Sequence, residues 1–204
     1  MTSKPELKIT VFSDYICPFC YVGHHRLKRL NDAYDLKINW CFIEIHPENS
    51  AAGEPTTSLD YPSDYWNELM ANLKKVAAEE NIPIAEHEFT TNSKDAILLA
   101  EASKTLGKEI FYDLHEKLFT AFFVESKNIG DRAILKSIAN ECDIDDGFIE
   151  NAWTDSNVKQ QILSNFNLAR EHNIQSVPSF VFGEKVLTGV VAEKTMRSAA
   201  KEIS

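Results

Sequence analysis

Residues 7–20, Leu-Lys-Ile-Thr-Val-Phe-Ser-Asp-Tyr-Ile-Cys-Pro-Phe-Cys, decide how the chain folds. Leu7 to Phe12 is an apolar run with β-branched residues that stops at Ser13-Asp14, and it reads as a buried strand. From Pro18 the pattern turns helical, with Phe19, Val22, Leu27 and Leu30 as inward positions and Asn31-Asp32 as the stop. The polar remainder, His24 to Arg29, reads as a solvated helix face whose cations lie near the C-terminal end, where the helix dipole favours them. Cys17 therefore falls where a strand hands over to a helix. At a helix N-terminus the unsatisfied N–H groups and the positive end of the dipole favour thiolate over thiol, which makes a nucleophile. Pro18 suits the first helical turn, since its missing N–H is not needed there. Cys20 follows about one turn later, within the Cα separation a disulfide permits. One cysteine can attack and the other can resolve.

Cys-x-x-Cys is also half of a zinc site. The other half is missing, because the sequence has no second Cys-x-x-Cys and no His-x-x-x-His. His24 and His25 are adjacent and point about 100° apart on a helix, and His46, His87, His115 and His172 show no ligand spacing. Redox chemistry is the stronger reading and no metal is expected. Cys41 and Cys142 each sit on an apolar face and read as core packing.

Working outward, Leu36 to Ile45 places Trp40 and Phe42 on one face and Cys41, Ile43 and Ile45 on the other, as in a central strand covered by helices. The opening is thus a βαβ unit. The turn-rich stretch from Pro47 to Pro62 breaks that rhythm, and helical patterns fill the next hundred residues or so. Tyr65, Trp66, Leu69, Leu73, Val76 and Ala77 share one stripe. Asn92 with Asp95 resembles a capping box ahead of Ala96, Leu99 and Ala102, with Gly107 as the stop. Phe111, Leu114, Leu118 and Phe122 make the next stripe. Asp131 can cap a helix with Leu135, Ile138, Ala139 and Cys142, and Asp155 or Ser156 one with Val158, Ile162 and Phe166. Residues 179–188 then read as a hairpin over a Gly183-Glu184 turn, and Ala192 to Ile203 as a last helix. Pro178 opens a strand, a place where its lost N–H is tolerated, and the residues alone leave the Val177-Pro178 bond open between trans and cis.

The 204 residues carry 21 Lys plus Arg against 31 Asp plus Glu, a formal charge of −10 that lacks the basic footprint a phosphate backbone needs. With 44% apolar and 25% charged residues the composition is that of an ordinary globular protein. One domain, or one with an insertion, is expected. No apolar run approaches the ~20 residues a membrane span requires, and Met1 to Lys8 has no signal-like apolar stretch. The expected address is the cytoplasm, where a close cysteine pair is more often reactive than structural.

Strand, Cys-Pro-x-Cys on a helix, strand, helical block, Val-Pro before a hairpin, and a final helix resemble the DsbA-type branch of the thioredoxin superfamily. Within it, SDYICPFCYVG (13–23), EIHP (44–47), TNSKDA (91–96), LFTAFF (118–123), SVPSFVF (176–182) and TGV (188–190) are similar to the FrnE-like proteins, relatives of 2-hydroxychromene-2-carboxylate isomerase and kappa-class glutathione transferase. The resemblance covers nearly the whole chain. It implies an α/β, thioredoxin-like fold with a large all-helical insertion. The thioredoxin-like part would comprise residues 1–47 and 174–204, and the insertion residues 48–173. It implies a cis Val177-Pro178 bond opposite Cys17, with the Val177 backbone free to pair with an extended substrate. The implied activity is thiol-disulfide exchange. Cys17 would attack, Cys20 resolve, Pro178 wall the site, and Val177, Pro18 and Phe19 contact substrate. The partners would be protein or small-molecule thiols and disulfides. No cofactor beyond the redox-active disulfide is implied, with glutathione or another low-molecular-weight thiol as candidate co-reactant. The isomerase and transferase branch has serine in the Cys17 place and draws its thiol from glutathione. A glutathione-dependent isomerase or transferase acting on an aromatic molecule is therefore the alternative. Phe19 replaces the Trp frequent in FrnE-like proteins and the His of the periplasmic branch. Without that cation the expected oxidant is weaker.

Overall fold

The computed structural model describes residues 4–86 and 88–203. His87 lies outside the described residues. β1 (Glu6–Ser13) runs parallel to β2 (Asp35–Phe42), with α1 (Pro18–Arg29) as the crossover between them. Near the other end of the chain, β5 (Ser179–Phe182) pairs antiparallel with both β1 and β6 (Lys185–Thr188), giving the order β2-β1-β5-β6. Gly183 takes the first place in the hairpin turn at φ +59°, which a side chain would resist. α8 (Glu193–Ile203) closes the chain and buries Met196, Ala199 and Ala200.

Successive residues of a strand face opposite sides, and the sheet accordingly separates two apolar layers. Leu7, Ile9 and Val11 join Trp40 and Phe42 in the main core, while Phe12 and Cys41 pack on the other side with Ala169 and Val181. β1 and β5 are the interior strands, and β2 is an edge. The two-faced apolar pattern at residues 40–43 comes from helices above and below an edge strand; Lys37 and Asn39, earlier in β2, are exposed. Ile45 lies beyond the strand and packs with the main core rather than with Cys41.

Between β2 and β5 lie β3 (Glu54–Pro55), α2 (Ser63–Glu80), β4 (Phe89–Thr90), α3 (Lys94–Ser103), α4 (Lys108–Phe123), α5 (Arg132–Asn140), α6 (Asp146–Thr154) and α7 (Ser156–Glu171). The block is not wholly helical, because β3 and β4 form a two-residue antiparallel ladder. Phe111, Leu114, Leu118 and Phe122 of α4 are all buried, each worth roughly 1.5–3 kcal/mol of transfer free energy. Asp131 and Asp155 cap α5 and α7 by accepting the Ala133 and Asn157 N–H groups, each at 2.8 Å. α7 fully buries Asn165 and Ala169, while Val158, Ile162 and Phe166 stay half-buried. At α3 the cap position is Ser93 rather than Asn92; Asn92 Oδ1 accepts from Lys94 N–H at 2.9 Å, and Asp95 turns outward to Arg132.

The cationic stretch of α1 is solvated only in part, with Lys28 exposed and His25 and Arg29 half-buried. His24 and Arg26 are buried. Arg26 ion-pairs with Glu80 at the end of α2 and donates to the Val191 carbonyl at 2.7 Å, so α1 ties α2 to the segment before α8. Tyr15 Oη and His115 Nδ1 are 2.7 Å apart, and His115 Nε2 and His24 Nδ1 are 3.3 Å apart, a buried hydrogen-bonded chain between the start of α1 and α4. Burial pushes His24 down to about 3, so the chain is neutral.

Candidate active site

Cys17 is the N-cap of α1, with extended backbone (φ −86°, ψ 113°) and Pro18 at the first helical position. Its carbonyl accepts the first turn's bonds, from Cys20 N–H at 3.0 Å and Tyr21 N–H at 3.3 Å. Its thiol donates toward the Val177 carbonyl at 3.7 Å, across 160 residues of sequence. The Val177-Pro178 peptide is cis. Val177 stands outside the β1–β5 ladder, and the Pro178 carbonyl accepts Gly189 N–H at 2.8 Å. The fold thus brings Cys17, Pro18, Cys20, Val177 and Pro178 to one place, with Phe19 half-buried beside them.

Gly23 sets how closely these parts approach. A Cβ there would stand 2.7 Å from Phe180 Cζ and 3.5 Å from Pro178 Cγ, so the bare glycine lets α1 sit against β5 and the proline.

All four cysteines are free thiols. Burial pushes the Cys20 thiol well up, and the neighbouring Cys17 thiol adds to that; the Asp14 amide and the Ser13 hydroxyl partly offset it. Beneath the pair, Asp14 is fully buried. Burial pushes its carboxyl up to about 6, against hydrogen bonds that favour the ionised form. Its oxygens accept Ile16 N–H at 3.2 Å and Ile45 N–H at 2.8 Å, tying the Cys17 loop to the chain leaving β2. Cys41 and Cys142 lie elsewhere in the interior, and burial holds their thiols up at about 11 and about 12. Among the described residues no group of three or more His, Cys, Asp or Glu side chains is placed to hold a metal ion.

A groove of about 1220 Å³ opens beside Cys17. Phe19 and Ile45 line it on the sheet side, Tyr65 and Trp66 on α2, and Ser176 and Val177 on the loop before β5. The helical stripe predicted for α2 divides: Leu73, Val76 and Ala77 enter the core, whereas Tyr65 is 51% exposed and Trp66 half-buried along the groove. Sequence reasoning missed this wall, along with Asp14 and His46. The only cue was an aromatic-rich run, Tyr61, Tyr65 and Trp66, at the start of an amphipathic helix.

The family model described as DSBA-like thioredoxin domain matches residues 8–201. Protein YwbO of Bacillus subtilis (strain 168), itself uncharacterized, is 27% identical over 198 residues, spanning 95% of this chain and 96% of its own. Solved structures that share the fold include the following three. A probable DsbA oxidoreductase, SCO1869 of Streptomyces coelicolor, superposes with a TM-score of 0.83 at 18% identity, covering 97% of this chain and 89% of its own. A 2-hydroxychromene-2-carboxylate isomerase gives 0.75 at 17%, covering 96% and 95%. The cytosolic disulfide reductase DsbM of Pseudomonas aeruginosa, solved with GSH, gives 0.69 at 14%, covering 96% and 93%. Among the described residues, no helix is long and apolar enough to cross a membrane.

Proposed function

Because the chain belongs to the family of DSBA-like thioredoxin domains, we propose that it is a thiol-disulfide oxidoreductase working through Cys17 and Cys20. The observation that carries this reading is the placement of Cys17 at the N-terminus of α1, facing the Val177 carbonyl and bordering an open groove. The Cys17 thiolate attacks a substrate disulfide sulfur, forming a mixed disulfide and releasing one substrate thiol. Cys20 then gives up its proton and attacks Cys17 Sγ, closing the Cys17–Cys20 disulfide and releasing the second thiol, so the substrate is reduced; oxidation of substrate thiols runs the same steps backwards. Pro178 walls the site, and Pro18, Phe19 and Val177 contact the incoming chain. Buried Cys20 is suited to the second step, since it meets no substrate from solvent. We place the protein in the cytoplasm, where its free thiols stay reduced between turnovers.

Substituting Cys20→Ser removes the resolving thiol, so mixed disulfides should accumulate at Cys17. Expressed in the native host, quenched with acid and isolated, this variant carries thiol-linked partners that dithiothreitol releases. The Cys17→Ser, Cys20→Ser double variant controls for capture at Cys41 or Cys142. If the single variant captures no more than that control, and wild type converts an aromatic substrate only with glutathione added, the isomerase-type reading replaces this one.

A further inference from the structure

At the groove that Val177 also lines, three polar side chains form a line that the dithiol chemistry leaves unused. His46 Nδ1 stands 3.0 Å from Glu48 Oε1, and His46 Nε2 stands 3.3 Å from the Tyr61 hydroxyl. An ionised carboxylate can only accept, so Nδ1 carries the ring proton. In the neutral imidazole Nε2 is then bare and accepts the Tyr61 O–H. That leaves the hydroxyl oxygen of Tyr61 as an acceptor without a proton to offer the groove it lines with Cys17.

Although 40% exposed, Tyr61 is held in place. Its ring stacks on Trp66 at 5.9 Å and 11° and meets His46 edge-on at 6.0 Å and 80°. Its backbone precedes Pro62, which confines it to extended conformations. Burial raises the hydroxyl above its usual range, and charge on Tyr65, Cys17 and Glu48 adds to this, so the group stays neutral and within electrostatic reach of the attacking sulfur. An acceptor oxygen offers a thiolate nothing. It suits an N–H beside the reacting cysteine.

We propose that Tyr61, oriented by His46 and Glu48, is a specificity-determining residue that accepts a backbone N–H from the extended polypeptide carrying the reacting disulfide. The assignment rests on the dithiol reading of Cys17 and Cys20 and adds a second recognition point besides the Val177 backbone, on the same groove. The groove is larger than the 300–1,000 Å³ or so usual for a small-molecule site, which fits a chain segment.

The test uses reduced full-length protein and a linear peptide whose single cysteine is joined to thionitrobenzoate. Cys17 attacks the peptide sulfur, the mixed bond breaks, and thionitrobenzoate leaves as a coloured thiolate; Cys20 then releases the peptide thiol. Half-saturating concentration and limiting rate are measured for this peptide and for versions N-methylated at one backbone position at a time. In wild type, one N-methyl position raises the half-saturating concentration about fivefold, the worth of an ordinary hydrogen bond, with the limiting rate unchanged. In Tyr61→Phe, which keeps the stack, the penalty at that position disappears while penalties elsewhere persist. In His46→Phe, which keeps the edge-on ring but frees the hydroxyl to rotate, it falls to about twofold. Equal penalties in wild type and Tyr61→Phe overturn the assignment, and an unchanged penalty in His46→Phe overturns the orienting role of His46. Failure of wild type to release thionitrobenzoate from the unmethylated peptide contradicts the dithiol reading itself.

Discussion

Cys17 and Cys20 sit where a strand end becomes a helix, whereas Cys41 lies inside β2 and Cys142 in the turn after α5. Burial does not tell them apart, since their exposures are 5%, 2%, 1% and 4%. Their contacts do. Cys142 donates to the Ile138 carbonyl four residues back, a bond within its own helix end, and Cys41 takes Asn39 Nδ2 from two residues away. Cys17 reaches across the fold to Val177 and lines an open groove. A buried cysteine becomes a candidate reagent when a helix terminus and an open cavity meet at its sulfur, and stays packing otherwise.

The largest expected effect breaks the comparison directly. Cys17→Ser should lower disulfide exchange by more than about a thousandfold, as loss of a nucleophile does. Cys41→Ala and Cys142→Ala should each cost about 1–2 kcal/mol of stability and leave exchange unchanged. Rates with a peptide disulfide, paired with urea melts, measure both; a large loss of exchange in either alanine variant removes the distinction.

The next effect sharpens the account of the loop under Cys17. Asp14 has a folded value of about 6 against an ordinary 3.8, so between those values the folded state holds a proton the unfolded chain has released. Its contribution to stability therefore falls as pH rises from about 4 to about 6, by up to about 3 kcal/mol. Buried His24 and His115, pushed down by burial, act in the opposite direction. The difference between wild type and Asp14→Asn isolates the carboxyl, because only wild type should lose stability through this window. Parallel curves for the two proteins would contradict the burial argument.

Much of this arrangement was legible in the sequence because its signals are local. Residues 7–20 give β1, the helix start and the pair; Gly183-Glu184 gives the hairpin; Asp131 and Asp155 announce two caps. What failed depends on tertiary placement. An apolar run with two buried faces at residues 40–43 cannot distinguish a central strand from an edge strand roofed by helices. His24 and Arg26 looked solvated because nothing nearby in sequence announces His115, Glu80 or Val191. α6 escaped notice because it has nine residues and Gly147 in its first turn. The meeting of Val177-Pro178 with Cys17 spans most of the chain, and only the family resemblance signalled it.

The smallest effect concerns the packing that holds this meeting together. Gly23→Ala gains helix propensity but drives a methyl into Phe180 and toward Pro178. The net expectation is a loss of about 1–2 kcal/mol, with slower exchange, read from denaturation midpoints and peptide kinetics. A stabilised alanine variant would show that α1 does not need so close an approach.

The central claim, that Cys17 and Cys20 form the redox couple and the other two cysteines do not, is tested most directly by a redox titration of wild-type protein in glutathione buffers. Each point is quenched with acid, alkylated and mapped by peptide mass. The account predicts one two-electron transition in which a Cys17–Cys20 linked peptide replaces the doubly alkylated one, while Cys41 and Cys142 remain alkylated after unfolding at every potential. Cys17 and Cys20 staying alkylated throughout, or a disulfide forming through Cys41 or Cys142 instead, would contradict it.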